Sequence, residues 1–182
     1  MERHFIFRSL SMVKKVCRMY FLHTMNSPIG TIGIIEEKNR IVSLLMDEQE
    51  LTELLASSKV VEHKTDLLEE AAKQLKEYFQ RKRKIFSLPI FPKGTSFQQK
   101  VWKELMNIPY GEARSYQYVA DGIGNPKAVR AVGQANKANP IPIIIPCHRV
   151  IGKNGALVGY AGNQTDKKAF LLQLEQCKNW AS

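Results

Sequence analysis

The sequence has little cysteine, no long apolar run and few acidic side chains. Its 182 residues include three cysteines, Cys17, Cys147 and Cys177. Because this number is odd and small, a disulfide framework is excluded, and a reducing compartment is expected, the cytoplasm or, in a eukaryote, the nucleus. No apolar run approaches the roughly 20 residues of a membrane helix, so we expect no membrane partner.

Acidic residues are outnumbered by basic ones, 17 against 27, which leaves a formal net charge of +10. Clustered Lys and Arg gain affinity for phosphates by releasing counterions, so nucleic acid is the leading partner that this charge predicts. A solvated basic surface without a partner is the alternative, and charge alone does not choose between them. The basic run at 81–84 has the same two interpretations, a solvated turn or a phosphate contact.

Residues 1–91 are predicted to form a small α/β domain. Three apolar segments, at 16–25, 29–35 and 41–46, are separated by turn residues and predict a short antiparallel meander. A polar, Glu-rich stretch follows, and then apolar residues recur at helical spacing from a cap at Thr65 or Asp66. This helix should cover one face of the sheet. The first 18 residues are expected to be an extension, either unstructured or leading into the first strand.

A connector rich in proline and glycine, at 88–94, places the domain boundary near residue 92, so the second domain spans 92–182. This half is predicted to be mostly helical. Caps, prolines and glycines set the bounds of three helices there. These predicted helices cover 96–106, 115–120 and 126–138.

The second and third of these helices, joined through a glycine-containing turn, resemble a helix-turn-helix. Polar and basic residues on the third helix recur at i, i+3, i+7 and i+10 and form one face: Lys127, Arg130, Gln134 and Lys137. Four small residues keep the helix slender enough for close approach to nucleic acid: Ala128, Ala131, Gly133 and Ala135. An ordinary amphipathic surface helix is the alternative.

Cys147 is the candidate reactive residue. It follows an apolar run at 143–145 that predicts a short buried strand, and Pro146 ends any ladder pairing, so the thiol should lie at the rim of a cleft. A buried, inert thiol is the alternative, because cysteine often behaves as a small hydrophobe. The neighbours favour reactivity: Arg149, and His148 when protonated, favour the thiolate. His148 can also serve as the base, acting through water because consecutive side chains of extended chain point in opposite directions.

Four motifs follow one another in the second half: GEARSY at 111–116, GNPKAVRAVG at 124–133, NPIP at 139–142 and PCHRV at 146–150. Together they resemble the O6-alkylguanine-DNA alkyltransferase family, the methylated-DNA–protein-cysteine methyltransferases. The resemblance is strong over about 95–175, whereas the N-terminal half is similar only in its arrangement of sheet and helix. It implies an α+β fold, in which a ribonuclease-H-like domain precedes a mostly helical domain with a helix-turn-helix.

The resemblance implies DNA repair. In that family an alkyl group, methyl or larger, moves from O6 of guanine in DNA, and possibly from O4 of thymine, to the protein's own cysteine, after the base is flipped out from the minor groove. The thioether product is a poor leaving group, so each molecule should react once. We therefore expect a single-turnover methylated-DNA–[protein]-cysteine S-methyltransferase that is monomeric and binds double-stranded DNA carrying O6-alkylguanine.

The resemblance also implies roles for individual residues. Cys147 would accept the alkyl group, His148 would be the base, and Glu175 would orient His148. Tyr116 would donate a hydrogen bond to the flipped guanine, and Asn139 would order the active-site loop. The DNA-binding set is Arg130, which enters the duplex in place of the base, with Lys127, Gln134, Ala131, Gly133 and Tyr116. The base pocket would be lined by Val150, Gly159, Tyr160 and Ala161.

Neither a metal nor a cofactor is expected. The lesion itself is the alkyl donor, so the chemistry needs no further group. The possible zinc ligands of the first half lack the close paired spacing of a structural zinc site: His4, Cys17, His23 and His63.

Two other functions compete with repair. A DNA-lesion sensor or helix-turn-helix regulator would bind in the same way and transfer nothing, but relatives of that kind lack the cysteine that this chain keeps. A cysteine-dependent hydrolase could use Cys147, His148 and Glu175, although the basic helix would then have no role.

Overall fold

The computed structural model describes residues 20–57, 60–153, 155–157, 165–178 and 180. Within them the fold is α+β, as the sequence predicts, with a small sheet preceding a mostly helical half. Three strands form the predicted meander: β1 (Tyr20–Ser27), β2 (Gly30–Glu36) and β3 (Ile41–Leu45). A short strand that the sequence analysis missed, β4 (Val60–Glu62), pairs parallel to β1 and gives the sheet order β3-β2-β1-β4.

Helices cover both faces of this sheet. The predicted helix, α2 (Asp66–Phe79), is capped by Thr65 and packs on one face. A helix that the sequence analysis missed, α1 (Glu48–Ala56), is capped by Asp47 and places Leu51 on the other face. Because both faces are covered, β2 does not show the alternation of a half-exposed strand: its last five residues are all buried.

The connector after α2 pairs with the edge of the sheet. The Ile41 N–H donates to the Pro89 carbonyl, and the Phe91 N–H donates to the Ile41 carbonyl, both at 2.8 Å. Further along β3, the Leu44 N–H donates to the Pro140 carbonyl at 2.8 Å. One strand therefore holds the connector near one end and the loop that leads to Cys147 near the other.

The second half begins with α3 (Ser96–Leu105), whose start is a capping box made by Thr95 and Gln98. A two-stranded parallel pair, β5 (Arg114–Ser115) and β6 (Val150–Ile151), brings the chain after α3 beside the chain after Cys147. The remaining helices are α4 (Tyr116–Gly122), α5 (Val129–Lys137) and α6 (Thr165–Leu174). The first two helices of the three predicted there are confirmed to within about two residues.

The third predicted helix starts later than expected. Residues 125–128 form a turn, in which the Ala128 N–H donates to the Asn125 carbonyl at 2.9 Å, and α5 begins at Val129 rather than at Pro126. Asn125 and Pro126 thus close a turn instead of capping the helix. Lys127 lies in this turn, so it is not part of the helical face predicted for it.

The predicted strand at 143–145 is wrong. The segment is a turn, closed by a hydrogen bond of 2.9 Å from the Ile145 N–H to the Ile141 carbonyl, and Ile143 has a φ of 72°. Prolines on both sides, at 142 and 146, offer no N–H to a neighbouring strand, which favours the turn. Burial of three alternate isoleucines offsets the strain of a β-branched residue in the left-handed region: Ile141, Ile143 and Ile145.

No helix among the described residues is long and apolar enough to cross a membrane.

Candidate active site

Cys147 is the first residue of a single 3₁₀ turn, Cys147–Arg149, which directly follows the isoleucine turn. Its side chain is 2% exposed and lines a cleft of about 770 Å³ between the end of β3 and the end of α5. The residue therefore lines a cleft, as predicted, but it is buried rather than exposed at the rim.

Two asparagines, one in the last turn of α5 and one just after it, hold the cysteine in place. Asn139 donates from Nδ2 to the Cys147 Sγ at 3.0 Å and to the Ile145 carbonyl at 2.8 Å, so it orders the loop as well as the thiol. Asn136, which the sequence analysis did not select, donates from Nδ2 to the Cys147 carbonyl at 3.2 Å. Both the backbone and the sulfur of Cys147 are thus fixed by the same helix end.

The Cys147 thiol is protonated at neutral pH. Burial raises its pKa to about 11, although the hydrogen bond from Asn139 and the charge of Lys168 act in the opposite direction. A thiolate is the nucleophilic form of cysteine, so this site needs a base to remove the proton.

Lys168, on α6, is the cation that acts on the thiol. The side chain is buried, its Nζ donates to the Val150 carbonyl at 2.5 Å, and burial lowers its pKa to about 8. Arg149, which the sequence analysis expected to favour the thiolate, instead directs its guanidinium at Glu175 and the Ile108 carbonyl. In the sequence Lys168 follows another lysine, a pattern typical of solvated charge, so nothing there singled it out.

His148 and Glu175 form the predicted pair. The His148 Nε2 lies 2.8 Å from the Glu175 Oε1, and both side chains are buried. Burial lowers the pKa of His148, with Glu175 opposing the shift, so the ring is neutral at neutral pH. Burial alone would raise the pKa of Glu175, but the hydrogen bond from His148 and the hydrogen bonds and charge of Arg149 outweigh it and hold that pKa well below its usual range.

The tautomer of His148 follows from this contact. An ionised carboxylate only accepts hydrogen bonds, so Nε2 carries the ring proton and Nδ1 keeps its lone pair. Among the described residues, none provides a hydrogen-bond partner for Nδ1. His148 can therefore accept a proton at Nδ1, which is the atom that a bridging water could connect to the Cys147 thiol.

Tyr116 is the first residue of α4 and is 9% exposed. Burial, followed by the negative charge that Cys147 can carry, raises its pKa to about 12, so its hydroxyl is a donor at neutral pH. Gly133 of α5 faces this ring, and a Cβ added there would lie at ordinary van der Waals distance from it, 3.9 Å, so α5 packs beside Tyr116.

The exposed side of α5 carries most of the residues predicted to bind DNA. Arg130, Ala131 and Gln134 are exposed on the helix, Lys127 is exposed in the turn before it, and Gly133 is half-buried. Val150, predicted for the base pocket, is buried in β6. The other predicted pocket residues, Gly159, Tyr160 and Ala161, lie outside the described residues.

A buried cysteine, followed in the chain by a histidine that pairs with a glutamate and held at the end of α5, is the arrangement of a protein that acts through a thiol, and α4 and α5 are the two helices that resemble a helix-turn-helix. Residues 96–177 match the family model "6-O-methylguanine DNA methyltransferase, DNA binding domain", and residues 20–92 match "6-O-methylguanine DNA methyltransferase, ribonuclease-like domain". The chain belongs to the 6-O-methylguanine DNA methyltransferase family.

Named relatives are similar along nearly their whole length. The constitutive methylated-DNA–protein-cysteine methyltransferase of Bacillus subtilis is 54% identical over 159 residues, which cover 87% of this chain and 96% of the relative. The methylated-DNA–protein-cysteine methyltransferase of Methanosarcina barkeri is 46% identical over 164 residues, which cover 87% and 98%. The crystal structure of Mycobacterium tuberculosis OGT in complex with DNA has a TM-score of 0.76 and 42% identity, covering 90% of this chain and 96% of that one.

Proposed function

We propose that this protein repairs double-stranded DNA by transferring an alkyl group from O6 of guanine to Cys147, once per molecule. The observation that carries the proposal is the Cys147 thiol, held by Asn139 in a cleft and followed in the chain by a neutral histidine that can accept its proton. The chain's membership of a family of methylated-DNA–protein-cysteine methyltransferases supports it.

The transfer balances without a further reagent. The thiol proton passes through water to His148 Nδ1, and the sulfur electron pair forms a bond to the alkyl carbon while the bond from that carbon to O6 breaks. The bonding electrons stay with guanine, which takes up one proton from water and remains in the strand as the neutral base, and His148 afterwards returns the thiol proton to water, so that the transfer moves one net proton from sulfur to guanine. Tyr116, a donor at neutral pH, offsets the charge that develops on the base, and Lys168 stabilises the transient thiolate.

The alkyl carbon is reached only after the base leaves the duplex, because Cys147 is buried. Arg130, exposed in the first turn of α5, would fill the space left in the duplex. Gly133 of α5 faces the Tyr116 ring, so the helix that would contact DNA and the ring that would bind the flipped base are adjacent. The small residues of α5 suit approach from the minor groove, and O4 of thymine would present its alkyl group to the same thiol.

Duplex DNA with a single O6-methylguanine, mixed with an excess of protein, tests the proposed function. We expect the intact mass of one protein chain to increase by one methyl for each lesion consumed. With the lesion in excess, transfer should stop at one methyl per chain because the thioether is not released. Continued turnover, or an unchanged protein mass after the lesion has disappeared, would contradict the proposal.

Arg130→Ala should slow repair of duplex DNA by about tenfold or more. Without the arginine nothing fills the space left by the flipped base, so the cost of unstacking that base, a few kcal/mol, is no longer offset. Single strands carrying the lesion and the free alkylated base should react at the wild-type rate. Lys103→Ala removes an exposed charge from the last turn of α3, to which no DNA contact is assigned, and serves as the matched control. An equal loss of rate on all three substrates would show that Arg130 does not act through flipping.

Lys168→Met should slow alkyl transfer by about tenfold at neutral pH, because the thiolate loses its buried cation and one unit of thiol pKa is worth about 1.4 kcal/mol. Methionine keeps the apolar volume, so the fold should survive. Lys167→Met is the control, since the Lys167 Nζ donates to the Met46 carbonyl. The measurement is the single-turnover rate on one lesion-containing oligonucleotide, and equal rates for both variants would exclude the role of Lys168.

We further propose that the protein acts as a monomer in the compartment that holds the DNA, the cytoplasm of a prokaryote or the nucleus of a eukaryote. We also propose a domain boundary near residue 92, with an N-terminal α/β domain at 1–91 and the alkyltransferase domain at 92–182. The two family models support this boundary, because their matches end at residue 92 and begin at residue 96.

A further inference from the structure

We propose that Tyr78, on a helix of the N-terminal sheet domain, is a positioning residue for alkyl transfer, and that its hydroxyl holds the Glu175 carboxylate in place for His148. This inference rests on the proposed function and deepens it. It assigns a part in the chemistry to a half of the chain in which the sequence shows no reactive motif.

The Glu175 carboxylate accepts hydrogen bonds from four residues. Oε1 accepts from the Tyr78 hydroxyl at 2.7 Å, from His148 Nε2 at 2.8 Å and from Arg149 Nη2 at 3.0 Å. Oε2 accepts from Arg149 Nε at 2.9 Å and from the Gly111 N–H at 3.1 Å. Tyr78 and His148 therefore share one oxygen, and Tyr78 makes the shortest of these bonds.

Tyr78 has little freedom to point elsewhere. It lies in the last turn of α2 and is fully buried. Its ring packs against three aromatic rings at centroid distances of 5.5, 5.5 and 6.2 Å: Phe79, Phe86 and Tyr110. Burial, together with the charge of Glu175, raises the pKa of Tyr78 well above its usual value, so the hydroxyl donates throughout the working pH range.

Because Tyr78 and His148 bind the same carboxylate oxygen, Tyr78 lowers the basicity of His148. Each donor on the carboxylate spreads its negative charge and weakens its pull on an imidazolium. The charged and titratable groups that act on His148 are Glu175, which stabilises its protonated form, and Arg149 and Lys168, which oppose it. Removing the Tyr78 hydroxyl leaves more of the carboxylate's charge to His148, so His148 should become protonated at higher pH.

Tyr78→Phe tests this inference, because phenylalanine keeps the ring and its packing while Glu175 keeps its other donors. We expect the acid limb of the single-turnover rate against pH to move upward by roughly half a pH unit or more, since a protonated His148 cannot act as the base. Tyr110→Phe is the matched control: its hydroxyl donates to the Leu174 carbonyl at 3.3 Å and not to Glu175. The control's acid limb should coincide with that of the wild type.

A second measurement does not depend on transfer. At neutral pH the Nε2 proton of His148 reports its hydrogen bond to Glu175, and its NMR resonance should move downfield in Tyr78→Phe and stay in place in Tyr110→Phe. If the acid limb and the resonance of Tyr78→Phe both coincide with those of the wild type, the inference is overturned. It is also overturned if lower thermal stability is the only change in this variant. If the wild type transfers no methyl, the proposed function fails, whereas the resonance still decides the role of Tyr78.

Discussion

Cys147→Ala protein is expected to gain no mass from methylated duplex DNA, whereas the wild type gains one methyl per chain. The sulfur is the only atom that forms the new bond, and neither His148 nor Lys168 replaces it as the acceptor in the proposed reaction. Intact mass spectrometry after prolonged incubation with excess lesion measures this directly. A methyl retained on the variant would place the acceptor elsewhere in the chain.

Cys177→Ala is the matched control for this experiment. Cys177 is also a free, buried cysteine, and burial likewise raises the pKa of its thiol to about 11. It packs with Ala113, Ile151 and Leu172 in a separate apolar cluster. The control should gain a full methyl, and both variants should bind duplex DNA normally because the exposed side of α5 is unchanged.

Glu175→Gln should have the largest combined effect on activity and stability. A neutral amide does not neutralise the charge of the Arg149 guanidinium. Its NH₂ group also donates hydrogen bonds, so it faces donors from which a carboxylate oxygen accepted. Breaking a buried ion pair costs about 3–5 kcal/mol of the free energy of unfolding. Loss of the oriented base should lower the single-turnover rate by about 100-fold or more. Urea denaturation and rapid-quench kinetics measure the two effects.

Glu112→Gln is the control, because Glu112 forms a more exposed ion pair with Arg114. Its free energy of unfolding should change by about 1 kcal/mol or less. A similar change in both variants would show that the Glu175 cluster contributes no more than a surface pair.

The stability difference between wild type and Glu175→Gln should narrow in acid. The pKa of Glu175 is lower in the folded chain than in the unfolded one, where a glutamate titrates near about 4.3. Its stabilising contribution is therefore complete above that pH and is lost as the pH falls toward the folded value. The glutamine variant has no such dependence at this position.

The sequence predicts the members of the site better than their surroundings. Cys147, His148 and Asn139 lie in short motifs and are brought together as expected, and Glu175 is found beside His148. The sequence does not predict the contact of Tyr78 with Glu175, because Tyr78 lies in no motif and is 97 positions away from Glu175 in the chain. Its periodicity on α2 indicated a core position, which is also true.

The errors in the predicted fold have local physical causes. The sequence does not predict α1, because Leu51 is the one residue of this Glu-rich helix that is buried against the sheet and the helix has little apolar periodicity. The β-propensity of 143–145 predicts a strand. The prolines on its two sides have no N–H to donate to a neighbouring strand, so the segment forms a turn instead. The sequence does not predict a role for Lys168, because a sequence does not distinguish a buried lysine from a solvated one.

The raised pKa of Cys147 affects the protein during the time before it meets a lesion. Peroxides and other oxidants react with thiolates, and with exposed ones first. A thiol that is 2% exposed and has a pKa of about 11 presents almost no thiolate to them. Because each molecule is proposed to react only once, resistance to oxidation preserves its single equivalent of reactivity, and the nucleophile is formed only where a base and an alkyl group are both in place.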